Sequence, residues 1–145
     1  MTGSPRFDAA DDDGALLTVL LAEDFQDSRD LYRFFLEGRG WRVVDVADGG
    51  EVLAAVAQED PDVIVMDLSL PTVDGWTLTR QLRTARSTAH IPVLVLSAHV
   101  LPEERERAFA AGCTGFLAKP CLPEHLEREL RRLVGQPVPA EADAQ

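Results

Sequence analysis

The order of apolar and amphipathic segments predicts an α/β fold: a doubly wound (βα)5 domain around one parallel five-stranded sheet. Three observations predict it. Strand-like and helix-like segments alternate five times between residues 16 and 134. The runs at 16–22, 63–66 and 92–98 are almost continuously apolar, as strands covered on both faces are. The run at 41–46 mixes apolar and charged residues and suits an edge. With right-handed crossovers, an edge-like second strand gives the order 2-1-3-4-5.

Each element follows from its own pattern. LLTVLLA at 16–22 is the first strand. Leu31, Phe34, Phe35 and Gly38 recur at i, i+3, i+4 and i+7, which predicts a helix over 27–38 that buries this stripe and ends at Gly40. WRVVDV at 41–46 is the second strand, and residues 51–58 are helical until Pro61 breaks them. VIVM at 63–66 is the third strand, and Asp67 follows it. Residues 75–86 read as a helix with Leu78, Leu82 and Ala85 on one side and Trp76 in its packing. PVLVLSA at 92–98 is the fourth strand. The helix at 102–111 opens on proline and acids, which favour an N-terminus, and Gly112 caps its end. GFLA at 115–118 is a short fifth strand. In the last helix, 123–134, Leu122, Leu126, Leu130 and Leu133 line the inner face, with Glu124–Arg128 and Glu127–Arg131 as i,i+4 pairs outside.

Composition narrows the function classes. The chain carries 25 acidic and 14 basic residues, a net charge of −11. Residues 1–15 supply −3 and residues 136–145 supply −2, leaving −6 for the middle. A domain this acidic is a poor candidate for binding a nucleic-acid backbone. No apolar run reaches the roughly 20 residues that span a bilayer. The opening MTGSPRFDAADDDG has no apolar signal core, so a cytoplasmic address is expected. Cys113 and Cys121 form no C-x-x-C pair and read as small thiols in a reducing compartment. Both ends, 1–15 and 136–145, read as disordered tails around one domain at 16–135. His90 and His125 show no ligand spacing and read as surface residues.

The strand ends carry the chemistry. In an open parallel sheet, functional groups gather at the carboxyl ends of the strands, near the switch point between strands 1 and 3. Strand 1 ends in Glu23-Asp24, strand 3 in Asp67, strand 4 in Ser97 and strand 5 in Lys119-Pro120. Alone, Glu23-Asp24 could cap a helix and Lys119 could be a solvated charge; four strand ends together argue for a site. Clustered carboxylates repel and call for a cation, and hard oxygen ligands suit Mg²⁺. A carboxylate beside Mg²⁺ and a lysine can attack a phosphoryl group. The central strand makes Asp67 the nucleophile. Glu23 and Asp24 are metal-side ligands, and the Ser69 backbone carbonyl, two residues after the nucleophile, can complete the shell.

LLAEDFQDSR at 20–29, VIVMDLSLPTVDGW at 63–76, PVLVLSA at 92–98 and AGCTGFLAKP at 111–120 resemble the response-regulator receiver domain of bacterial two-component signalling, over about residues 17–134. The resemblance implies a flavodoxin-like fold and phosphoryl transfer to Asp67 from a phosphohistidine on a histidine kinase or phosphotransfer protein. It implies that Ser97 is the switch hydroxyl, Lys119 the phosphate contact and Phe116 the switch aromatic. The outer face of helix 4, strand 5 and helix 5 would then change shape and regulate a partner protein. It also implies no enzymatic activity beyond self-catalysed phosphoryl transfer and autodephosphorylation. Phe116 departs from the pattern by lacking a hydroxyl, so its two ring positions differ by packing alone. Cys121 stands where the family often has a large apolar residue. Ser69 and His99 occupy positions that tune dephosphorylation in the family; His99 reads equally well as an exposed loop residue.

Rival readings meet specific obstacles. A haloacid-dehalogenase-type phosphatase wants an acid two residues after the nucleophile, where this chain has Ser69. A flavodoxin-like electron carrier needs a hydroxyl- and glycine-rich loop where this chain has EDFQD. A phosphorylation-independent interaction module usually loses one of the acids or the lysine, and all are present. The short stretch after residue 134 suggests a stand-alone receiver or a phosphate relay, although a receiver from a longer regulator or hybrid kinase would read the same.

Overall fold

The computed structural model describes residues 16–99 and 101–136. The expected tails lie outside these residues, apart from Gln136. The described residues form β1 (Thr18–Ala22), α1 (Gln26–Gly38), β2 (Arg42–Val46), α2 (Val52–Glu59), β3 (Val63–Asp67), α3 (Gly75–Thr84), β4 (Val93–Ser97), α4 (Pro102–Ala111), β5 (Gly115–Ala118) and α5 (Pro123–Leu133). A 3-10 turn, Gly49–Glu51, leads into α2. The sheet is parallel throughout, in the expected order β2-β1-β3-β4-β5.

Alternation along each strand divides the core in two. Leu20, Ala22, Ile64, Met66, Val93 and Val95 face α2, α3 and α4. Val19, Leu21, Val63, Val65, Leu94 and Leu96 face α1 and α5. Every residue of β1, β3 and β4 is buried, whereas β2 opens on exposed Arg42, as an edge strand does.

Three helix faces differ from the sequence reading. In α1 the buried residues are Tyr32 and Leu36, while Leu31 and Phe34 are 51% and 80% exposed. Leu31 and Phe34 are three apart and Tyr32 and Leu36 four, so either set fits one helix face, and the helix is rotated so that Tyr32 buries its ring and keeps a polar tip for a hydrogen bond. In α3, Leu78 and Leu82 are buried, but the helix ends at Thr84 and Ala85 is exposed. In α5 the Glu127–Arg131 pair is buried rather than external, and Leu122 is 60% exposed. The i,i+4 spacing brings the pair together without saying which side it faces. The side is set by Trp41, whose Nε1 donates to Glu127 Oε2 at 2.9 Å, and by the Arg39 guanidinium at 3.7 Å from Oε1.

The end of α4 is fixed by geometry. Gly112 has φ +111°, a left-handed cap that disfavours side chains. A Cβ there would lie 2.3 Å from Arg83 Cγ. The Arg83 guanidinium donates to the carbonyls of Gly112, Ala89 and Ile91 and so ties α3 to the end of α4.

Candidate functional site

The parallel register brings the strand ends level. Met66 lies beside Ala22, Asp67 beside Leu96, and Ser97 beside Ala118. The residue ending or following four strands therefore reaches one rim: Glu23, Asp67, Ser97 and Lys119. The Lys119 amide continues the ladder by donating to the Ser97 carbonyl at 2.8 Å.

Lys119 joins the two buried acids. Its Nζ lies 3.1 Å from Glu23 Oε1 and 3.0 Å from Asp67 Oδ2. The other oxygens are held locally. The Phe25 amide donates to Glu23 Oε2 at 3.0 Å. The Ser69 amide and hydroxyl each donate to Asp67 Oδ1 at 3.0 Å. Asp24 is exposed at the rim, and one oxygen from each of Glu23, Asp24 and Asp67 lies within 4.8 Å of the others. The close approach of backbone beneath Asp67 explains Gly75: a Cβ there would sit 2.8 Å from the Asp67 carbonyl oxygen.

The two buried acids do not titrate alike. Burial pushes the Glu23 carboxyl up, the Asp67 charge adds to this, and the Phe25 amide and Lys119 only partly oppose it. Burial also pushes the Asp67 carboxyl up, but the Ser69 amide and Lys119 outweigh it and hold Asp67 below the usual range. Burial lowers Lys119, and its two carboxylate partners more than restore it. Three carboxylates thus share one ammonium. Close oxygen donors with a deficit of positive charge fit a hard divalent cation such as Mg²⁺.

The remaining expected residues are placed differently. Ser97 is buried, and its hydroxyl engages the His99 backbone, donating to the carbonyl at 2.8 Å and accepting from the amide at 3.0 Å. His99 is exposed and reaches Ser97 through its main chain. Phe116 is buried in the core under α4, with the Arg105 guanidinium 5.6 Å from its ring centre and 5.4 Å from that of Phe109. Trp76 packs as expected against the core and lies under the Arg107 guanidinium, 3.9 Å from the ring centre. Cys121 is half-buried against the α1–α5 core. His90 and His125 are exposed.

The structure adds residues that the strand-end argument passed over. Arg29 Nη1 donates to the Glu23 carbonyl at 2.9 Å and more weakly to that of Asp24 at 3.4 Å. The Tyr32 hydroxyl donates to the Cys121 carbonyl at 3.0 Å. Thr72, in the loop after Asp67, has φ +73°, and its hydroxyl donates to Asp48 at 2.9 Å. These groups act through main-chain atoms or a loop conformation, which no residue spacing marks.

Comparison with known proteins points to one family. The family model "Response regulator receiver domain" matches residues 19–131. The chain is 31% identical over 111 residues to the polar-differentiation response regulator DivK of Brucella ovis, covering 76% of this chain and 90% of DivK. It is 37% identical over 112 residues to the sensory/regulatory protein RpfC of Xanthomonas campestris, covering 76% of this chain but spanning only 15% of RpfC. Among solved structures it resembles the receiver domain of the sensor histidine kinase PA1611 from Pseudomonas aeruginosa, at a TM-score of 0.77 and 34% identity, covering 84% of this chain and all of that one. That structure has a magnesium ion coordinated in its active site cleft.

Proposed function

The chain belongs to the response regulator receiver domain family, and on that premise we propose that Asp67 takes a phosphoryl group from a phosphohistidine on a histidine kinase or phosphotransfer protein. The receiver unit is residues 16–135. The observation that carries the reading is Lys119 Nζ bridging Asp67 and Glu23, with Asp24 completing the acidic cluster. In the transfer, an Asp67 oxygen forms a bond to phosphorus as the P–N bond breaks, and the imidazole keeps the electron pair. Ser69 supports this by fixing the rotation of the Asp67 carboxylate through Oδ1. Lys119 supplies a positive charge within reach of the incoming phosphoryl oxygens. Glu23, Asp24, Asp67 and the Ser69 backbone carbonyl would hold Mg²⁺, which when bound neutralises charge on those oxygens.

Phosphorylation then acts as a switch. A new dianion beside Ser97 offers its hydroxyl a stronger acceptor than the His99 carbonyl. Moving toward it breaks both Ser97–His99 bonds and frees the loop leading into α4. Phe116, packed beneath α4, and Arg105 of α4 above its ring carry the change to the α4–β5–α5 face and to a downstream partner protein. The exposed Phe25, Leu31 and Phe34 beside the acidic loop suit an apolar partner surface on the phosphodonor side. No helix among the described residues is long and apolar enough to cross a membrane. On the receiver reading, the protein works in the cytoplasm and does no chemistry beyond transfer onto and off Asp67.

Beryllofluoride with Mg²⁺, which mimics an acyl phosphate, tests the reading by amide NMR on the native chain and Asp67→Asn. Native shifts at 67, 97–99 and 116 that are absent from the variant are expected. A native chain that does not respond contradicts the proposal, and a response confined to the neighbourhood of residue 67 contradicts the Ser97–Phe116 switch.

A further inference from the structure

α1 reaches both halves of the charged site through one face. Arg29 and Tyr32 stand at i and i+3, and Leu36 continues that face into the core. Arg29 holds the carbonyls of Glu23 and Asp24, the two residues that carry the acid pair. Tyr32, only 4% exposed, holds the carbonyl of Cys121, two residues beyond Lys119. The Lys119 segment is pinned to β4 from its other side by the bond from its amide to Ser97. The two α1 side chains therefore grip backbone on opposite sides of the Lys119–Glu23 contact.

From this geometry we infer that Arg29 and Tyr32 are positioning residues, which make α1 a bracket that sets the acid pair against Lys119. Neither touches the reacting atoms. Arg29 fixes the backbone of the acid pair itself and Tyr32 fixes backbone two residues past Lys119, and errors of about an ångström in such placement are costly in rate. The two grips have separable consequences. Tyr32 governs Lys119, which contacts the phosphoryl group. Arg29 governs the acid pair, which faces the cation. Charge alone predicts the opposite sign for Arg29: removing a cation beside an acidic site should tighten Mg²⁺ binding.

The inference rests on the proposed Asp67 chemistry, and its test separates the two. Mg²⁺ dissociation constants are measured by calorimetry without phosphodonor, and phosphorylation rate constants with saturating Mg²⁺ and acetyl phosphate. Tyr32→Phe keeps the ring in its packing and removes one hydroxyl. It is expected to slow phosphorylation about fivefold, the equivalent of one net hydrogen bond, with Mg²⁺ affinity within about twofold of native. Arg29→Met is expected to weaken Mg²⁺ binding about threefold or more, and Arg29→Lys to restore part of it. A native chain that takes no phosphoryl group overturns the functional reading. A native chain that does, with Tyr32→Phe equally fast or Arg29→Met binding Mg²⁺ as tightly or more tightly, overturns the bracket alone.

Discussion

Asp67 and Glu23 are two buried carboxylates that share one lysine, yet their surroundings divide their roles. Asp67 accepts two hydrogen bonds from Ser69 as well as the Lys119 contact, so its anion is the favoured form. Glu23 is fully buried, and its carboxyl is raised by that burial. The linkage signs are opposite. Asp67, lowered in the fold, contributes stability above its unfolded value of 3.8 that is lost as pH falls through its folded value. Glu23, raised from 4.5, binds its proton more tightly in the fold, so its contribution declines as pH rises from 4.5 through the raised value. Metal-free Glu23→Gln is therefore expected to unfold at a higher denaturant concentration than the native chain at pH 7, with the gap narrowing toward pH 4. Its Mg²⁺ affinity should fall about tenfold or more, since even groups outside a metal's ligand shell are worth that much. A lower midpoint at pH 7 would contradict this assignment of charge. Ser97→Ala should cost about 1–2 kcal/mol of stability in denaturant titration, because it removes both hydrogen bonds between the buried Ser97 hydroxyl and the His99 backbone. The acids, Ser97 and Lys119 were legible in the sequence because a strand end fixes where the next side chain goes. Arg29 and Tyr32 were not, because they bind carbonyls, and every residue has one.

At the scale of elements, the apolar runs of β1, β3 and β4 specified buried strands, and mixed β2 specified the edge. Helix faces were less legible. In α1, Leu31 with Phe34 and Tyr32 with Leu36 both form plausible stripes, and only the Cys121 carbonyl and the opposing core decide between them. In α5 the spacing of Glu127 and Arg131 announced a pair but not its burial, which depends on Trp41 from a distant part of the chain. A buried pair of this kind is costly to halve and cheap to replace whole. Arg131→Met should destabilise by about 3 kcal/mol in denaturant titration, and adding Glu127→Met should recover part of that loss. A double variant less stable than the single one would show that the pair is not the coupling unit. Gly112→Ala should cost about 2 kcal/mol or more, from the positive φ and the collision with Arg83.

For the whole molecule, the doubly wound sheet explains why stability and signalling meet at one rim. The strands are anchored in two cores, and their carboxyl ends deliver like charges to a place the cores cannot neutralise. A bound cation should therefore stabilise the entire fold. Mg²⁺ at ten times its dissociation constant is expected to add about 1.4 kcal/mol to unfolding, and less in Asp67→Asn. The central claim is that this rim exists to receive phosphate on Asp67. Its most direct test is to incubate the native chain and Asp67→Asn with Mg²⁺ and acetyl phosphate and to follow intact mass and peptide masses. One added phosphoryl group, on the peptide containing Asp67 and absent from the variant and from the Mg²⁺-free sample, is the predicted result. A native chain that gains no phosphoryl group, or gains it equally when residue 67 is asparagine, would contradict the account.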